Sequence, residues 1–229
     1  TRTEWVIGKE SLERLQNSSV AVFGVGGVGS FTAEALARTG IGSIMLVDFD
    51  MVDLTNLNRQ IQALHSTLGQ PKALVMKERM LQINPYMHID VRLNKYLPEN
   101  ADSFFFKSWD YVVDAMDMVN AKLDLIQQCK TRHIPIISSM GAGNKVNPGL
   151  LRVADIAETS GCPLARVMRK ELRRRGIDHL KVVFSDESPS QEHRPPEAGN
   201  TPASIAFVPS VAGLLMAAEV VRELTRRYP

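Results

Sequence analysis

The sequence predicts an α/β protein with a mostly parallel sheet flanked by helices and a mixed extension of the sheet towards the C-terminus. Three observations predict this fold class. Short apolar runs alternate with amphipathic stretches of helix length along the chain. A glycine-rich turn joins the first apolar run to a helix. Acidic residues follow two of the runs, where the carboxyl ends of parallel strands face a ligand crevice. The predicted arrangement is Rossmann-like.

Length and composition fit one globular domain. The chain has 229 residues, of which 44% are hydrophobic, enough for a complete α/β core. The net charge of +2 is too small to indicate a nucleic-acid partner by itself. The two cysteines exclude a disulfide scaffold and favour a reducing cytoplasm. Polar interruptions in the longest apolar stretch, 205–221, argue against an integral membrane segment, and weak membrane attachment through the last helix stays open.

The glycine-rich turn predicts a phosphate site. Ser19 to Phe23 form the predicted buried strand, and a predicted helix from Ser30 to Thr39 follows the turn. Glycine permits a positive φ and lets a phosphate approach backbone N–H groups at a helix N-terminus. The glycines concerned are Gly24, Gly26, Gly27 and Gly29. A tight turn without a ligand is the alternative, because this pattern alone is weak evidence.

The next apolar run, Ser43 to Asp50, ends in acids. Asp48 stands about 20 residues beyond the last glycines, where a carboxylate accepts hydrogen bonds from ribose hydroxyls. Asp50 lies beside it and is a further nucleotide-binding candidate. Up to this point, an NAD oxidoreductase and an ATP-dependent enzyme are equal alternatives.

Two cations favour the ATP-dependent enzyme. Arg59 lies in the polar stretch after the second strand, and Lys72 begins a predicted helix that runs to about Ile83. Negative charge grows on the oxygens of a triphosphate as it is cleaved, and cations stabilise that charge. Hydride transfer needs no such pair. The alternatives are a loop salt bridge for Arg59 and a solvated first-turn position for Lys72.

Asp117 is the candidate magnesium ligand. It follows a predicted strand, Trp109 to Asp114, and precedes a predicted helix from about Val119 to Arg132. A carboxylate at the carboxyl end of a strand faces the crevice and suits Mg²⁺ bound to phosphates. An N-cap of the following helix is an equal alternative.

The C-terminal part contains a basic helix, predicted from Pro163 to Arg175 with Gly176 as its cap. A solvated face and a polyanion partner are equal alternatives for its charges. The candidate cations are Arg166, Arg169, Lys170, Arg173 and Arg174. Cys162 precedes this helix and is interpreted as a small half-buried residue, because no histidine lies nearby to activate a thiol.

Two further segments complete the chain. Residues 185–202 are rich in Pro, Glu, Ser and Gly and predict a loop that is mobile or ordered only by a ligand. A final helix, 210–227, is expected to pack on the sheet. Its expected apolar face consists of Val211, Leu214, Leu215, Ala218 and Val221.

Together these motifs resemble the ThiF/MoeB/HesA superfamily of adenylating enzymes, relatives of the ubiquitin-activating enzymes. The matches cover residues 1 to about 145. They are Gly24-x-Gly-Gly-x-Gly29, Leu46-Val-Asp-Phe-Asp50, Asn56-Leu-Asn-Arg-Gln60, Gly69-Gln-Pro-Lys72 and Asp114-x-x-Asp117. The resemblance implies one adenylation domain, with a nucleotide-binding half at 1–145 and a substrate-side half at 146–229.

The superfamily binds ATP with magnesium, and the resemblance implies roles for the matched positions. Asp48 would hold the ribose, Gln60 would support the pocket, and Asp117 would bind magnesium. The contacts to the triphosphate would come from Asn56, Arg59 and Lys72. Arg2 has the spacing of the superfamily's N-terminal arginine segment. It would reach the ATP of a partner subunit, which implies a homodimer.

Further segments resemble one branch of the superfamily. They are Ala33 to Gly42, Gln82-Ile-Asn-Pro85, Asp155 to Ser160 before Pro163-Leu-Ala-Arg166, and Val182-Val-Phe-Ser185. Members of this branch adenylate the carboxylate of threonylcarbamoyladenosine in tRNA, after which the side chain cyclises and AMP leaves. The resemblance therefore implies tRNA as the partner, and the basic helix offers a surface for it.

Two other functions remain alternatives. One is adenylation of the C-terminal Gly-Gly of a ubiquitin-like sulfur-carrier protein, with Cys162 as the acceptor thiol. The chain lacks the two Cys-x-x-Cys zinc pairs of that branch, which counts against it. The other is an NAD oxidoreductase or a nucleotide-sensing module, against which the cations and Asp117 argue. Docking of a sulfur-transfer protein and binding of a monovalent ion near 141–147 stay open.

Overall fold

The strands of the protein form one mostly parallel sheet. The structure is a computed structural model that describes residues 1–107, 109–190, 193, 195, 199 and 202–225. The strands in these ranges are β1 (Ser19–Phe23), β2 (Ser43–Val47), β3 (His88–Arg92), β4 (Tyr111–Asp114), β5 (Ile136–Ser139), β6 (Leu151–Asp155) and β7 (Lys181–Ser185). Their order is β3-β2-β1-β4-β5-β7-β6, and every pair is parallel except β6 with β7. The predicted fold class, including the mixed C-terminal extension, is confirmed.

Helices cover both faces of the sheet. Those in the described ranges are α1 (Arg2–Ile7), α2 (Lys9–Gln16), α3 (Gly29–Thr39), α4 (Lys72–Ile83), α5 (Val119–Thr131), α6 (Pro163–Arg173) and α7 (Phe207–Thr225). In β1, Val20 and Val22 pack with α3, α4 and α7, whereas Ala21 and Phe23 pack with α5 and α6 on the other face. Successive side chains of a strand point to opposite faces, so a strand covered on both sides is apolar throughout.

The topology places a crevice at the carboxyl end of β1. The chain runs outward from β1 to β2 and β3 on one side, and to β4, β5 and β7 on the other. Loops that leave β1 and β4 therefore diverge onto opposite faces and open a crevice between them. Strand β2 ends at Val47, three residues before the predicted end, which leaves Asp48 to Asp50 in the loop at this edge.

The N-terminal lead-in forms two helices, α1 and α2. The side chain of Thr1 accepts a hydrogen bond from the backbone N–H of Glu4, and this cap starts α1. Helix α1 buries none of its residues against the rest of the described chain, and Trp5 is 81% exposed.

The basic helix ends slightly earlier than predicted. Pro163 occupies its first turn, as expected, and Arg174 follows its last residue. Gly176 lies beyond the cap and has a φ of 71°, so it closes the turn after the helix rather than the helix itself.

The buried face of α7 corrects the prediction. Leu214 and Ala218 are exposed, whereas Val208, Ala212 and Met216 are buried against α3 and the sheet. Apolar side chains surround this helix on nearly every side, so their spacing does not select one face. Gly213 lets the helix approach closely, because a Cβ there would lie 2.3 Å from the carbonyl oxygen of Val28.

Part of the C-terminal prediction falls outside the described residues. This holds for 226–227 of the last predicted helix and for 191, 192, 194, 196–198, 200 and 201 of the predicted loop. Among the described helices, none combines the length and apolarity needed to cross a bilayer.

Candidate functional site

A cleft of about 670 Å³ lies at the carboxyl edge of the sheet. The glycine turn and Asp48 line one part of it, and segments after β4 and β5 line the rest. The predicted site residues that line this cleft are Gly24, Gly26, Gly27, Asp48, Asp50, Asn56, Arg59, Gln60, Lys72 and Asp117. Gly29 lies beneath the turn, while Arg2 and the cations of α6 lie outside the cleft.

Two of the glycines are required by the protein backbone itself. Gly24 has a φ of 87°, and a Cβ there would lie 2.7 Å from the carbonyl oxygen of Ala115. A Cβ on Gly29 would lie 1.8 Å from the carbonyl oxygen of Gly24. Side chains at these positions would force apart the turn, the start of α3 and the loop after β4.

Gly26 has no such structural reason. Its φ is not positive, and the nearest atom to a Cβ there would be Nε2 of Gln60, at 3.9 Å. The backbone N–H groups of Gly26, Gly27 and Val28 have no acceptor among the described residues. Unpaired donors at the N-terminus of a helix, beside a position without a Cβ, form an anion site.

Asp48 is fixed by two backbone donors. Its Oδ2 accepts from the N–H of Val25 at 2.6 Å, and its Oδ1 accepts from the N–H of Asp50 at 2.8 Å. Burial raises the pKa of Asp48 above its ordinary value, although these two donors and Lys72 oppose the shift. Each oxygen retains capacity for a further hydrogen bond, as a ribose hydroxyl would require.

Lys72 is not a solvated first-turn residue. Its side chain is 8% exposed, and Nζ lies 2.8 Å from Oδ2 of Asp50. The backbone N–H of Lys72 also donates to the carbonyl oxygen of Asp50, at 3.0 Å. Asp50 therefore aims the ammonium group into the cleft.

Arg59 makes no loop salt bridge with a described residue. Its Nη1 donates to the carbonyl oxygen of Thr55 at 2.8 Å and to Oδ1 of Asn58 at 3.0 Å. The Arg59 stem packs over Gly27, with its Cγ 3.3 Å from the position of a Cβ there. Because both acceptors are neutral, the positive charge of Arg59 stays available to an anion.

Asn56 and Gln60 are buried and support the turn. Oδ1 of Asn56 accepts from the N–H of Asp53 at 3.1 Å. Oε1 of Gln60 accepts from Gln62, which in turn donates to the carbonyl oxygen of Val25 at 2.7 Å. Sequence reasoning missed Gln62, since one glutamine in a polar loop carries no recognisable signal.

A buried ion pair shapes the wall opposite Asp48. Nζ of Lys122 lies 2.9 Å from Oδ2 of Asp114, and both side chains are fully buried. The same Nζ donates to the carbonyl oxygens of Met116 and Ser139. Ser138 completes the group with a hydrogen bond to Asp114 of 2.6 Å. The motif Asp114-x-x-Asp117 contained one member of this network, but nothing in the sequence indicated a buried lysine.

Asp117 has a free carboxylate. It is exposed at the cleft, and it makes no hydrogen bond or ion pair within the described ranges. The N-cap residue of α5 is Met118, and no side chain caps that helix, so the N-cap alternative for Asp117 is wrong. No group of three His, Cys, Asp or Glu side chains that would hold a metal occurs among the described residues.

The five cations of α6 divide into two groups. Nη1 of Arg169 donates to Oγ1 and the carbonyl oxygen of Thr159, at 2.6 and 2.7 Å, and Arg174 pairs with Glu171. The exposed Arg166, Lys170 and Arg173 have no acidic partner in the described part of the chain. Arg169 is thus a brace for the turn before the helix, which corrects its placement on the outward surface.

Cys162 is more buried than expected. It is 3% exposed and lines the cleft where α6 begins. In the described residues no histidine lines the cleft with it. The expectation of an unreactive small residue therefore stays a prediction.

The fold and the cleft define an α/β domain in which unpaired N–H groups at the N-terminus of α3 face the cleft. A sequence model of the ThiF family matches residues 2–229, and the chain belongs to that family. It is 50% identical over 239 residues to the tRNA threonylcarbamoyladenosine dehydratase of Bacillus subtilis, covering 99% of this chain and 94% of that protein.

Two solved structures are similar over the whole chain. They are crystal structures of the E. coli tRNA N6-threonylcarbamoyladenosine dehydratase, TcdA, in complex with AMP and with ATP. Both are 34% identical to this chain, with TM-scores of 0.91 and 0.90. Each covers 99% of this chain and 93% of the other.

Replacement of Lys122 by Met tests the buried ion pair. Lys122→Met keeps the length of the side chain but leaves the Asp114 carboxylate buried without a counter-ion. We expect the free energy of unfolding to fall by about 3–5 kcal/mol, measured by urea denaturation. Lys130→Met, on the exposed side of the same helix, is the control and should change it by less than about 0.5 kcal/mol. Equal losses of unfolding free energy in the two variants would show that the ion pair does not stabilise the protein.

Proposed function

We propose that this chain is an ATP-dependent tRNA threonylcarbamoyladenosine dehydratase. It adenylates the carboxylate of the threonylcarbamoyl group, which then cyclises with release of AMP. The observation that carries the proposal is the cleft, in which unpaired N–H groups, two cations and a free carboxylate converge. Similarity over the whole chain to dehydratases selects this reaction among those that such a cleft supports. Because the proposed substrate is tRNA, the proposal includes a cytoplasmic location.

ATP would lie across the β1 end of the cleft. Its phosphates would accept hydrogen bonds from the N–H groups of Gly26 and Gly27, where no Cβ blocks them. The two fixed oxygens of Asp48 would bind the ribose. Arg59 and Lys72 would face the phosphates from the other side. These groups hold ATP in one orientation, which is the larger part of catalysis in phosphoryl and nucleotidyl transfer.

The chemistry needs no protein nucleophile. The substrate carboxylate attacks the α-phosphate, pyrophosphate leaves, and an acyl-adenylate forms. A nucleophilic group of the same side chain then attacks the activated carbonyl carbon, and AMP and a proton are released. The sum is loss of one water from the substrate, coupled to conversion of ATP to AMP and pyrophosphate. Arg59 and Lys72 stabilise the negative charge of the departing pyrophosphate.

The free carboxylate of Asp117 fits a magnesium ion. Mg²⁺ is usually held by one or two carboxylates together with phosphate oxygens and waters, so a single protein ligand suffices. Bound there, the ion would neutralise phosphate charge. The buried pair of Lys122 and Asp114 holds the segment that carries Asp117, through the bond from Lys122 to the carbonyl oxygen of Met116.

The outward cations of α6 would contact tRNA. Arg166, Lys170 and Arg173 are exposed and lack acidic partners in the described ranges. The helix begins beside Cys162 at the rim of the cleft, so a polyanion on this face can reach the cleft. Because the reaction transfers no sulfur, a sulfur-transfer protein has no part in the proposal.

The proposal includes a homodimer in which Arg2 reaches the ATP of the partner subunit. Helix α1 carries Arg2 and leaves the apolar side chains of Trp5 and Val6 exposed, at 81% and 74%. Exposed apolar surface of this kind marks a contact with another chain. Sedimentation that finds only monomer at assay concentrations would contradict this part of the proposal.

Gly26→Ala tests the phosphate site without disturbing the fold. A Cβ at Gly26 has room in the protein but would meet the phosphates. We expect the melting temperature to stay within about 2 °C and the ATP affinity to fall about tenfold or more. Gly149→Ala, at an exposed position outside the cleft where φ is not positive, should leave the ATP affinity unchanged. Undiminished ATP binding by the Gly26 variant would exclude this position for the phosphates.

Release of AMP tests the reaction itself. Pure protein is given ATP, magnesium and tRNA with or without the threonylcarbamoyl group, and AMP and dehydrated nucleoside are measured. We expect turnover with the modified tRNA alone, and a loss of about hundredfold or more in Asp117→Asn. Asp102→Asn, at an exposed surface pair, is the control. Two further additions test the alternative functions. Turnover only with a carrier protein that ends in Gly-Gly would replace the dehydratase by the carrier-activating function. Tighter binding of NAD than of ATP would favour an oxidoreductase.

The tRNA surface is tested by single neutralisations on α6. Lys170→Gln and Arg173→Gln should weaken binding of modified tRNA and lower the slope of log affinity against log salt by about 1 each. Lys77→Gln removes a charge on α4, which packs on the opposite face of the sheet, and should leave the slope unchanged. Equal slopes in all variants would remove α6 from the tRNA-binding surface.

A further inference from the structure

The cleft extends beyond the part that a nucleotide would fill. Past β4 it continues along the ends of β5 and β7, about 10 Å further at the usual spacing of neighbouring strands. This second part is lined by residues 139–145, 162–164 and 202–204. Small and apolar side chains dominate the lining, and Lys145 is the one cationic side chain among the described residues of these segments. None of the roles proposed above for binding ATP involves Lys145.

Lys145 is buried without a counter-ion. It is 4% exposed, and its Nζ donates one hydrogen bond, to the carbonyl oxygen of Ser185 at 3.2 Å. Of the described residues, none forms an ion pair with it. A buried ammonium group with one neutral acceptor is a costly arrangement, because its remaining protons and its charge are uncompensated. Burial accordingly lowers the pKa of Lys145, although Cys162, Glu187 and Asp186 oppose the shift.

The nearby carboxylates are committed elsewhere. The two oxygens of Glu187 accept hydrogen bonds from the N–H groups of Val146 and Asn147, both at 2.9 Å. Asp186 accepts from the guanidinium of Arg152 at 2.7 Å and from Ser160 at 3.1 Å. Neither carboxylate can turn to Lys145 without giving up these bonds, so a ligand that carries a negative charge would supply the counter-ion that the described residues do not.

A short segment, 202–204, lies over this part of the cleft. The N–H of Asn144 donates to the carbonyl oxygen of Ala203, and the N–H of Ala203 donates to Oδ1 of Asn144, each at 2.8 Å. From the nucleotide side, Nδ2 of Asn58 donates to the carbonyl oxygen of Ser204 at 2.9 Å. The segment thus connects the loop that carries Arg59 to the loop that carries Lys145. Its cover lowers the local dielectric, which strengthens any ion pair formed beneath it.

We propose that Lys145 binds the substrate carboxylate that is to be adenylated. The inference rests on the proposed function and adds the residue that recognises the reacting group. The ammonium group gains the anion it lacks, and the small residues around it leave room for an amino-acid side chain. The carboxylate is thereby held in the same cleft as ATP but on the opposite side from the glycine turn, so that it faces the nucleotide.

The experiment compares two inhibitors that differ in charge. Free threonylcarbamoyladenosine carries the carboxylate, and its methyl ester does not. Each is added to the AMP-release assay with modified tRNA, and its inhibition constant is measured for the wild type and for Lys145→Met. We expect the wild type to bind the acid about 10- to 100-fold more tightly than the ester, and the variant to bind both equally. The KM for modified tRNA should rise in the variant, while the ATP affinity stays unchanged.

Controls separate this role from a structural one. Lys130→Met, at an exposed position, should keep the wild-type preference for the acid. Lys145→Arg retains the charge and should recover part of the preference. A loss of ATP binding in Lys145→Met would show that this variant does not fold. Lys145→Gln then replaces it in the same comparison.

The outcomes distinguish this inference from the proposed function. A wild type that turns over modified tRNA but is not inhibited more strongly by the acid than by the ester overturns the role of Lys145. The same holds if a variant without the charge retains the preference. A wild type that does not turn over modified tRNA overturns the proposed function, and with it the substrate on which this role depends.

Discussion

The close approach of three backbone segments at the carboxyl end of β1 is the constraint on which the site depends. Gly24 leaves no space for a Cβ against Ala115, and Gly29 leaves none against Gly24. Helix α3 therefore begins directly under the end of β1, with the loop after β4 beside it. This packing turns the first N–H groups of α3 into the cleft, and it also determines how far Asp117 stands from them. One local feature of the sequence, the spacing of its glycines, sets both sides of the cleft.

A second constraint holds the wall that faces the glycine turn. The buried pair of Lys122 and Asp114 is expensive to desolvate, and it contributes to stability only because hydrogen bonds to Met116, Ser138 and Ser139 complete its geometry. The position of the pair is better explained by the segments that it holds in place than by a gain in stability. Through the bonds from Lys122 to the carbonyl oxygens of Met116 and Ser139, it joins the segments after β4 and β5, both of which line the cleft.

The sequence predicted the structure correctly at positions where one physical cause determines the local conformation. The bounds of β1 and the first residue of α4 were predicted as the structure has them, because an apolar strand before glycines and a proline before a helix leave few alternatives. The face of α7 was wrong, because a helix that is apolar all round has no preferred face in its sequence. The hydrogen bonds from Arg169 to Thr159 could not be predicted either, because Thr159 lies in a turn that only the folded chain brings close to Arg169. Lys145 looked like any lysine in a loop. Burial is a property of the tertiary structure, and one sequence does not report it.

The distribution of charge in the cleft explains how two anions can meet there. A carboxylate about 4 Å from a phosphate oxygen is repelled by about 4 kcal/mol at the effective dielectric constant of a protein surface, and by more under a cover that excludes water. The cations stand on both sides of that contact. Lys72 is already paired with Asp50, Arg59 has only neutral acceptors, and Lys145 has a single one. Asp50 holds Lys72 in place, whereas Arg59 and Lys145 have no acidic partner among the described residues and can each pair with an anionic ligand. Arg59 lies over the glycine turn and Lys145 lies beside the end of β7, and in the proposed reaction each would bind a different anion on its own side of the cleft. The segment 202–204, bonded to Asn58 and Asn144, connects these two sides.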